Sequence, residues 1–229
     1  MVAAASSVAA ASSRWELDQR LEGAATGAAT VPGYFKPNEA TAYLAGTLPH
    51  WRQEGVTYFV TFRCADSLPQ EKLSQWKTER DGWLLEHPEP LDETEQQAYR
   101  SLFSDRIEHW LDQGYGACLL ARPEYRGLVE NALRYFDSQR YHLGQYVVMP
   151  NHVHVVVTPV PACELSGILH SWKSFTANQI NKLSGSTGAF WQKESFDQIL
   201  RSPAHLERVN QYISEHPRSS GFQPLAVAC

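Results

Sequence analysis

The chain has 229 residues, of which 43% are hydrophobic, 11% aromatic and 20% charged. This length predicts one or at most two folded domains, and no apolar run approaches the ~20 residues of a transmembrane helix. The formal net charge of −5 argues mildly against nucleic-acid binding, because proteins that bind phosphates tend to be basic. The four cysteines form no Cys-x-x-Cys pair, which argues against a structural zinc site or disulfide framework and favours a reducing cytosol.

Residues 1–47 are predicted to form a flexible N-terminal extension. Its first part is low in complexity and rich in Ala, Ser, Gly and Thr, and the alanine-rich start lacks the basic region of a signal peptide. Residues 56–63 alternate and are rich in β-branched and aromatic side chains, so we expect the first core strand there. Residues 223–229 are predicted to form a short tail.

Residues 66–112 are predicted to form an acidic helical insertion with two helices, over 69–87 and 91–112. The insertion has 12 acidic and 5 basic residues, a balance of −7. Residues 118–218 have 8 acidic and 10 basic residues, a balance of +2. The acidity is therefore concentrated in one segment, and the nearly neutral remainder can still bind a nucleic-acid strand through local cations and aromatic rings.

A hairpin is predicted after a helix that begins at Pro123, because residues 146–157 read YVVMPNHVHVVV with Pro-Asn as the turn. His152 and His154 are two residues apart on its second strand, so their side chains project from the same face and can bind one metal ion. We expect this pair at the mouth of a strand, within reach of solvent and substrate. Two hydrogen-bonded core histidines are the alternative that this spacing leaves open.

Two further helices are predicted, one near residues 164–182 and one from Pro203 to Pro217. On the second of these helices, Tyr212 and His216 are one turn apart on the same face. A phenol and an imidazole placed in this way can act as a nucleophile and a third metal ligand. An ordinary amphipathic helix whose tyrosine packs in the core would have the same spacing.

The order of strand, helix, hairpin and helix predicts an α+β fold, in which an antiparallel sheet carries helices on one face. Four blocks of this sequence also carry a family resemblance: the His-Val-His block, SWKSFT at 171–176, FWQKESFD at 190–197, and Tyr212 ahead of Pro217. In order and spacing they resemble the REP-associated tyrosine transposases, a branch of the insertion-sequence 200-like single-tyrosine transposases within the HUH endonucleases. The resemblance covers roughly residues 48–222, and it implies a ferredoxin-like HUH endonuclease fold.

The resemblance implies that His152 and His154 are metal ligands and that Tyr212 forms a 5′-phosphotyrosine bond with single-stranded DNA. Family members commonly carry Asn or Gln where this chain has His216. We therefore expect a transposase or single-strand endonuclease that uses Mg²⁺ or Mn²⁺ to cleave and rejoin DNA. A tyrosine has a free pKa of about 10 and needs a base, which the sequence does not identify.

The expected partner is single-stranded or hairpin DNA, and the resemblance implies a hairpin from a repetitive extragenic palindrome. The candidate DNA contacts are Lys173, Trp191, Gln192, Arg201 and Arg208. Tryptophans in such blocks are more often core residues than platforms for bases. We expect no membrane partner, a monomer or homodimer, and a cytoplasmic, nucleoid-associated protein.

Three other classes of protein share part of this pattern. A histidine-triad hydrolase would need a third alternating histidine where this chain has Val156, and a 2H phosphoesterase would need a second His-x-Thr/Ser element. A domesticated, non-catalytic DNA-hairpin-binding protein would keep the same fold and motifs. Because like charges repel, the acidic insertion is expected to face away from the DNA groove or to act as a negative gate against duplex DNA.

Overall fold

The computed structural model describes residues 32–44, 50–88, 91 and 93–219. They belong to one compact unit. Residues 1–31 of the predicted extension and the predicted tail lie outside the described residues. Within the described part of the chain, every helix is too short or too polar to cross a bilayer.

The secondary structure begins with β1 (Ala42–Leu44), β2 (His50–Arg52) and β3 (Tyr58–Arg63). The insertion follows with α1 (Gln70–Glu86), α2 (Glu93–Tyr99), a π-helical turn (Arg100–Ser104) and α3 (Asp105–Asp112). A 3₁₀ turn (Leu119–Ala121) then leads to α4 (Pro123–Tyr135), β4 (Tyr141–Val148), β5 (His152–Pro159), α5 (Leu165–Ser184), β6 (Phe196–Ile199) and α6 (Pro203–Ser219).

The main sheet of the described chain is antiparallel and has four strands in the order β4-β5-β3-β6. Along the chain, its strands and two helices follow the order β3-α4-β4-β5-α5-β6, which is the ferredoxin-like arrangement. The predicted α+β class is therefore confirmed. Strands β1 and β2 pair with each other in a separate two-stranded sheet.

Strand β5 is central and is buried on both faces, which accounts for its run of β-branched residues. Because side chains alternate along a strand, Val153 and Val155 join the larger core beneath α4 and α5. Val156 joins a second core with Val209 and Ile213 of α6. Helices therefore cover both faces of the sheet, with α4 and α5 on one face and α6 on the other, whereas the sequence predicted helices on one face only.

Two helix predictions differ from the structure in detail. Helix α6 continues through Pro217 to Ser219, because a proline in the last turn forfeits only one backbone hydrogen bond. The second predicted helix of the insertion is interrupted by the π-helical turn. Within that turn, Phe103 packs with Leu73 and Trp76 of α1 in a third, smaller core.

Part of the predicted flexible extension is folded. The amide of Phe35 donates to the carbonyl of Leu200 at 2.9 Å, and the amide of Thr57 donates to the carbonyl of Gly33 at 2.8 Å. These bonds join the start of the described chain to the residue after β6 and to the residue before β3. The folded body therefore begins before residue 48, where the sequence predicted its boundary.

Candidate active site

Three histidines from two elements meet on the α6 face of the sheet. His152 and His154 come from β5, and His216 comes from α6. The Nε2 atom of His152 lies 3.0 Å from Nε2 of His154 and 3.3 Å from Nε2 of His216. Among the described residues, these three form the one group of histidine, cysteine or carboxylate side chains arranged to hold a metal ion.

Hydrogen bonds to the other ring nitrogens orient two of these imidazoles. The Asn151 amide nitrogen donates to the carbonyls of Leu111 and Tyr115, at 3.2 and 3.1 Å, which leaves its oxygen as an acceptor. Nδ1 of His152 lies 2.7 Å from that oxygen, so Nδ1 carries the proton and Nε2 presents a lone pair to the cluster. Nδ1 of His154 is held by the Thr61 hydroxyl at 2.8 Å.

Burial keeps the two strand histidines neutral. Burial and the neighbouring His216 lower the pKa of His152 to about 3. Burial and the neighbouring imidazoles hold the pKa of His154 well below its usual range. Protons therefore do not compete for these two nitrogens near neutral pH, as a metal ligand requires.

The separations of the His152 nitrogen from the other two nitrogens fit a single ion. Two nitrogens bound about 2.1 Å from one ion lie about 3.0 Å apart at a right angle and about 3.4 Å apart at a tetrahedral angle. The observed separations of 3.0 and 3.3 Å fall in this range. Three imidazoles suit a transition-metal ion better than Mg²⁺, which prefers oxygen ligands.

Tyr212 lies one turn before His216 on α6, as the helical spacing predicts. Its phenol oxygen is 3.4 Å from Nε2 of His154, and its ring is tilted against the His216 ring with centroids 4.8 Å apart. The edge contact between Tyr212 and Phe59, with centroids 6.1 Å apart, fixes the ring against β3. A phenol therefore lies next to the histidine cluster.

The insertion contributes two carboxylates that the sequence did not single out. The Tyr212 hydroxyl donates to Glu108 of α3 at 3.3 Å, and Asp112 of α3 lies 3.0 Å from Nε2 of His216. Glu108 and Asp112 are one turn apart, as are Tyr212 and His216, so the two helices meet in matching pairs. That shared spacing was the only signal in the sequence.

These contacts correct two predictions about the site. Helix α3 lies against the site, which contradicts an insertion that faces away from it. The alternative, a negative gate against duplex DNA, stays a prediction. The histidines are also closed off, because His152 is 1%, His154 0% and His216 3% exposed, whereas the sequence predicted an open strand mouth. Burial and the carboxylates of Glu108 and Asp112 raise the pKa of Tyr212 well above its usual range.

The predicted DNA contacts have different surroundings. Trp191 is buried, donates to the Thr176 hydroxyl at 2.9 Å and packs on Phe62, so it is a core residue and does not present a ring to a base. Gln192 donates to the carbonyl of Ala65 at 2.8 Å. Lys173 is only partly buried, whereas Arg201 and Arg208 are exposed.

The segment that holds the three histidines and Tyr212 matches a known protein family. A family model described as "Transposase IS200 like" matches residues 122–216. Residues 122–216 are therefore similar to the IS200-like transposases. The matched segment includes the three histidines and Tyr212, and it confirms the resemblance predicted from the motifs. The insertion lies outside this match.

Two solved structures resemble the chain at low sequence identity. One is a REP-associated tyrosine transposase bound to a REP hairpin, with 14% identity and a TM-score of 0.42, covering 77% of this chain and 76% of that one. The other is a candidate transposase from Deinococcus radiodurans, with 13% identity and a TM-score of 0.34, covering 72% of this chain and 92% of that one. No curated protein matches the chain.

Proposed function

We propose that this chain is a metal-dependent transposase that cleaves and rejoins single-stranded DNA through a covalent bond to Tyr212. The observation that carries the proposal is the 3.4 Å separation between the phenol oxygen of Tyr212 and Nε2 of His154, within a cluster of three imidazoles. A phosphodiester at this position can contact the nucleophile and the metal ligands together. His152, His154 and His216 are the proposed ligands.

A divalent ion held by these histidines would neutralise and orient the non-bridging oxygens of the scissile phosphate. Tyr212 attacks the phosphorus, and its phenolic proton passes to Glu108, to which it already donates. The bond from phosphorus to the 3′-oxygen breaks, and that oxygen takes a proton from water. The products are a free 3′-OH and a 5′-phosphotyrosine, which the 3′-OH of a strand can attack in the reverse reaction to rejoin DNA.

Glu108 supplies the base that the sequence left open. The raised pKa of Tyr212 means that free phenolate is scarce near neutral pH, so the proton must leave as the new bond forms. Its contact with Glu108, at 3.3 Å, is slightly longer than an ideal hydrogen bond, as is common for catalytic contacts before substrate binds. Thr61 and Asn151 act as positioning residues, because each holds the outer nitrogen of a proposed ligand.

The proposed substrate is single-stranded or hairpin DNA, by likeness to the REP-associated branch of the family. The three-imidazole donor set favours Mn²⁺ or another transition-metal ion over Mg²⁺. A cytoplasmic protein that associates with the nucleoid, as a monomer or homodimer, is consistent with such a substrate.

A covalent-adduct experiment tests the proposal. The chain is incubated with hairpin-bearing single-stranded DNA and Mn²⁺, and the products are separated on a denaturing gel. We expect a protein–DNA adduct that disappears in Tyr212→Phe, which loses only the hydroxyl, while metal binding and DNA binding persist. Peptide mapping of the adduct to another tyrosine would reject Tyr212 as the nucleophile.

A second function is favoured by the burial of the site. The histidines are at most 3% exposed, and Asp112 of the insertion lies against His216, as would suit a DNA-hairpin-binding protein that has lost catalysis. In that case the wild-type chain would bind hairpin DNA without forming an adduct at any metal concentration. The same gel therefore distinguishes the two functions.

A further inference from the structure

A second concave site lies between the insertion and the main sheet. A cavity of about 270 Å³ is enclosed by α1, the end of β3 and the chain before β6. Four of its lining residues are basic and one, Glu194, is acidic; the basic ones are Arg63, Lys77, Arg80 and Lys193. Its excess of positive charge is unexpected in a chain whose formal net charge is −5.

Arg80 is held in the wall of this cavity. Its side chain is only 3% exposed, and two of its guanidinium nitrogens bind the carboxylate of Asp81. The guanidinium also lies over the Trp76 ring, 4.9 Å from the centroid. Its remaining nitrogen, Nη1, is buried and has no hydrogen-bond partner among the described residues. A buried, permanently charged donor of this kind is stabilised when an anion accepts from it.

Lys173 adds a fifth cation beside the cavity. Its ammonium group donates to the carbonyl of Lys193 at 2.8 Å and to the Ser195 hydroxyl at 3.2 Å, and Ser195 and Lys193 both line the cavity. Burial and the nearby charge of Arg63 lower the pKa of Lys173 to about 8. Cations gathered in this way repel one another, and an anion between them relieves the repulsion.

The cavity is connected to the histidine cluster through Thr61. Thr61 lines the cavity, and its hydroxyl holds Nδ1 of His154 at 2.8 Å. A smaller cavity, of about 60 Å³, shares Thr61 and Trp76 with the larger one and is also lined by Glu108, the partner of Tyr212. An anion in the larger cavity would therefore be a near neighbour of the proposed reaction site.

We propose that this cavity binds a phosphate group of the single-stranded DNA, next to the phosphodiester that Tyr212 attacks. The proposal rests on the proposed function for the identity of the strand. Lys77 and Arg80 belong to the insertion, whereas Arg63 and Lys193 belong to the sheet region, so the strand would bind between the two. The acidic insertion is then part of the DNA-binding surface.

Binding measurements with two charge-neutralising variants test this site. A labelled oligothymidylate of about 12 nucleotides is titrated, without metal, into the full chain carrying Tyr212→Phe, so that cleavage does not affect the result. Lys77→Gln changes an exposed residue, whereas Arg80→Gln changes a buried one and is checked for folding by circular dichroism. Lys182→Gln, an exposed position on α5 away from the cavity, is the matched control.

We expect the dissociation constant to rise about tenfold in Lys77→Gln and in Arg80→Gln. The slope of log affinity against log salt should fall by about 0.7, the value for one lost phosphate contact on a single strand. Lys182→Gln should change neither quantity. Equal effects of Lys77→Gln and Lys182→Gln would overturn the site, because overall charge would then explain the result.

Competition with inorganic phosphate identifies the source of the anion. Phosphate should weaken oligothymidylate binding to the parent protein and leave the residual binding of Arg80→Gln unchanged. If phosphate raises the melting temperature of the parent but does not compete with the oligonucleotide, the site binds free phosphate and the DNA assignment is wrong. A wild-type chain that forms no covalent adduct, yet binds the oligonucleotide through Lys77, would contradict the proposed cleavage and leave this binding site supported.

Discussion

Replacement of Glu108 by Gln separates two opposite effects of this carboxylate on Tyr212. As the proposed base, Glu108 would accept the phenolic proton from 3.3 Å away, and loss of a general base typically slows a reaction about 10²–10⁴-fold. As a negative charge, Glu108 disfavours phenolate, since two like charges 4 Å apart repel by about 4 kcal/mol at an effective dielectric constant of 20. Removing that repulsion would increase the phenolate population about a thousandfold.

We expect the first effect to dominate, so that Glu108→Gln forms the covalent adduct about 10²–10⁴-fold more slowly than wild type. Even a tyrosine with an ordinary pKa is only about 0.1% phenolate at pH 7, and the carboxylates around Tyr212 reduce this fraction further. Attack by preformed phenolate is therefore the slower route. The amide of Gln keeps the shape of the side chain and can still accept from the Tyr212 hydroxyl.

The assay is the single-turnover rate of adduct formation on hairpin-bearing single-stranded DNA at saturating Mn²⁺. Glu86→Gln is the control, because Glu86 is exposed on α1 and its replacement changes the net charge by the same amount. Melting temperature and DNA affinity should be similar in both variants. An adduct rate in Glu108→Gln that equals or exceeds the wild-type rate would refute the role of Glu108 as base.

Three further outcomes follow from the geometry of the site and core. Mn²⁺ at a hundred times its dissociation constant should stabilise the wild-type chain by about 2.7 kcal/mol, and His152→Ala with His154→Ala should abolish this shift in thermal unfolding. His216→Asn should keep more Mn²⁺ affinity than His216→Ala, because an amide oxygen can replace the ring nitrogen as a ligand, and equal losses in a metal titration would argue against His216 as a ligand. Because Trp191 is a core residue, Trp191→Phe should lower the free energy of unfolding, measured in urea, by about 1–3 kcal/mol and leave oligonucleotide affinity unchanged. A selective loss of DNA binding would instead show that Trp191 contacts a base.

The parts of the site that depend on local periodicity could be predicted from the sequence. His152 and His154 share a face because side chains alternate along β5, and Tyr212 stacks near His216 because α6 brings residues i and i+4 together. The run of β-branched residues is also typical of a buried strand, and β5 is buried along almost its whole length. Each of these inferences needs only the period of one element.

The parts that depend on how elements pack could not be predicted in this way. Glu108 reaches Tyr212 across 104 residues of sequence, and only the packing of α3 against α6 brings them together. The placement of α6 on the second face of the sheet likewise follows from Val209 and Ile213 packing on that face, and no helical period specifies which face. The burial of the three histidines is a consequence of the same packing.

The insertion shows why a summed charge does not describe a surface. Its balance of −7 predicted a segment that faces away from the DNA groove or acts as a negative gate against duplex DNA. Its helices, however, direct different charges to different places. Helix α3 brings the carboxylates of Glu108 and Asp112 to Tyr212 and His216, where one can accept a proton and the other pairs with an imidazole. Helix α1 brings Lys77 and Arg80 to the neighbouring cavity, whose lining is basic. Phosphate contacts depend on charges within about a Debye length of 8–10 Å. The local arrangement of charges on each helix therefore matters more than the total charge of the segment. An acidic segment can in this way present cations to the DNA strand from one helix and a carboxylate to the reaction from another.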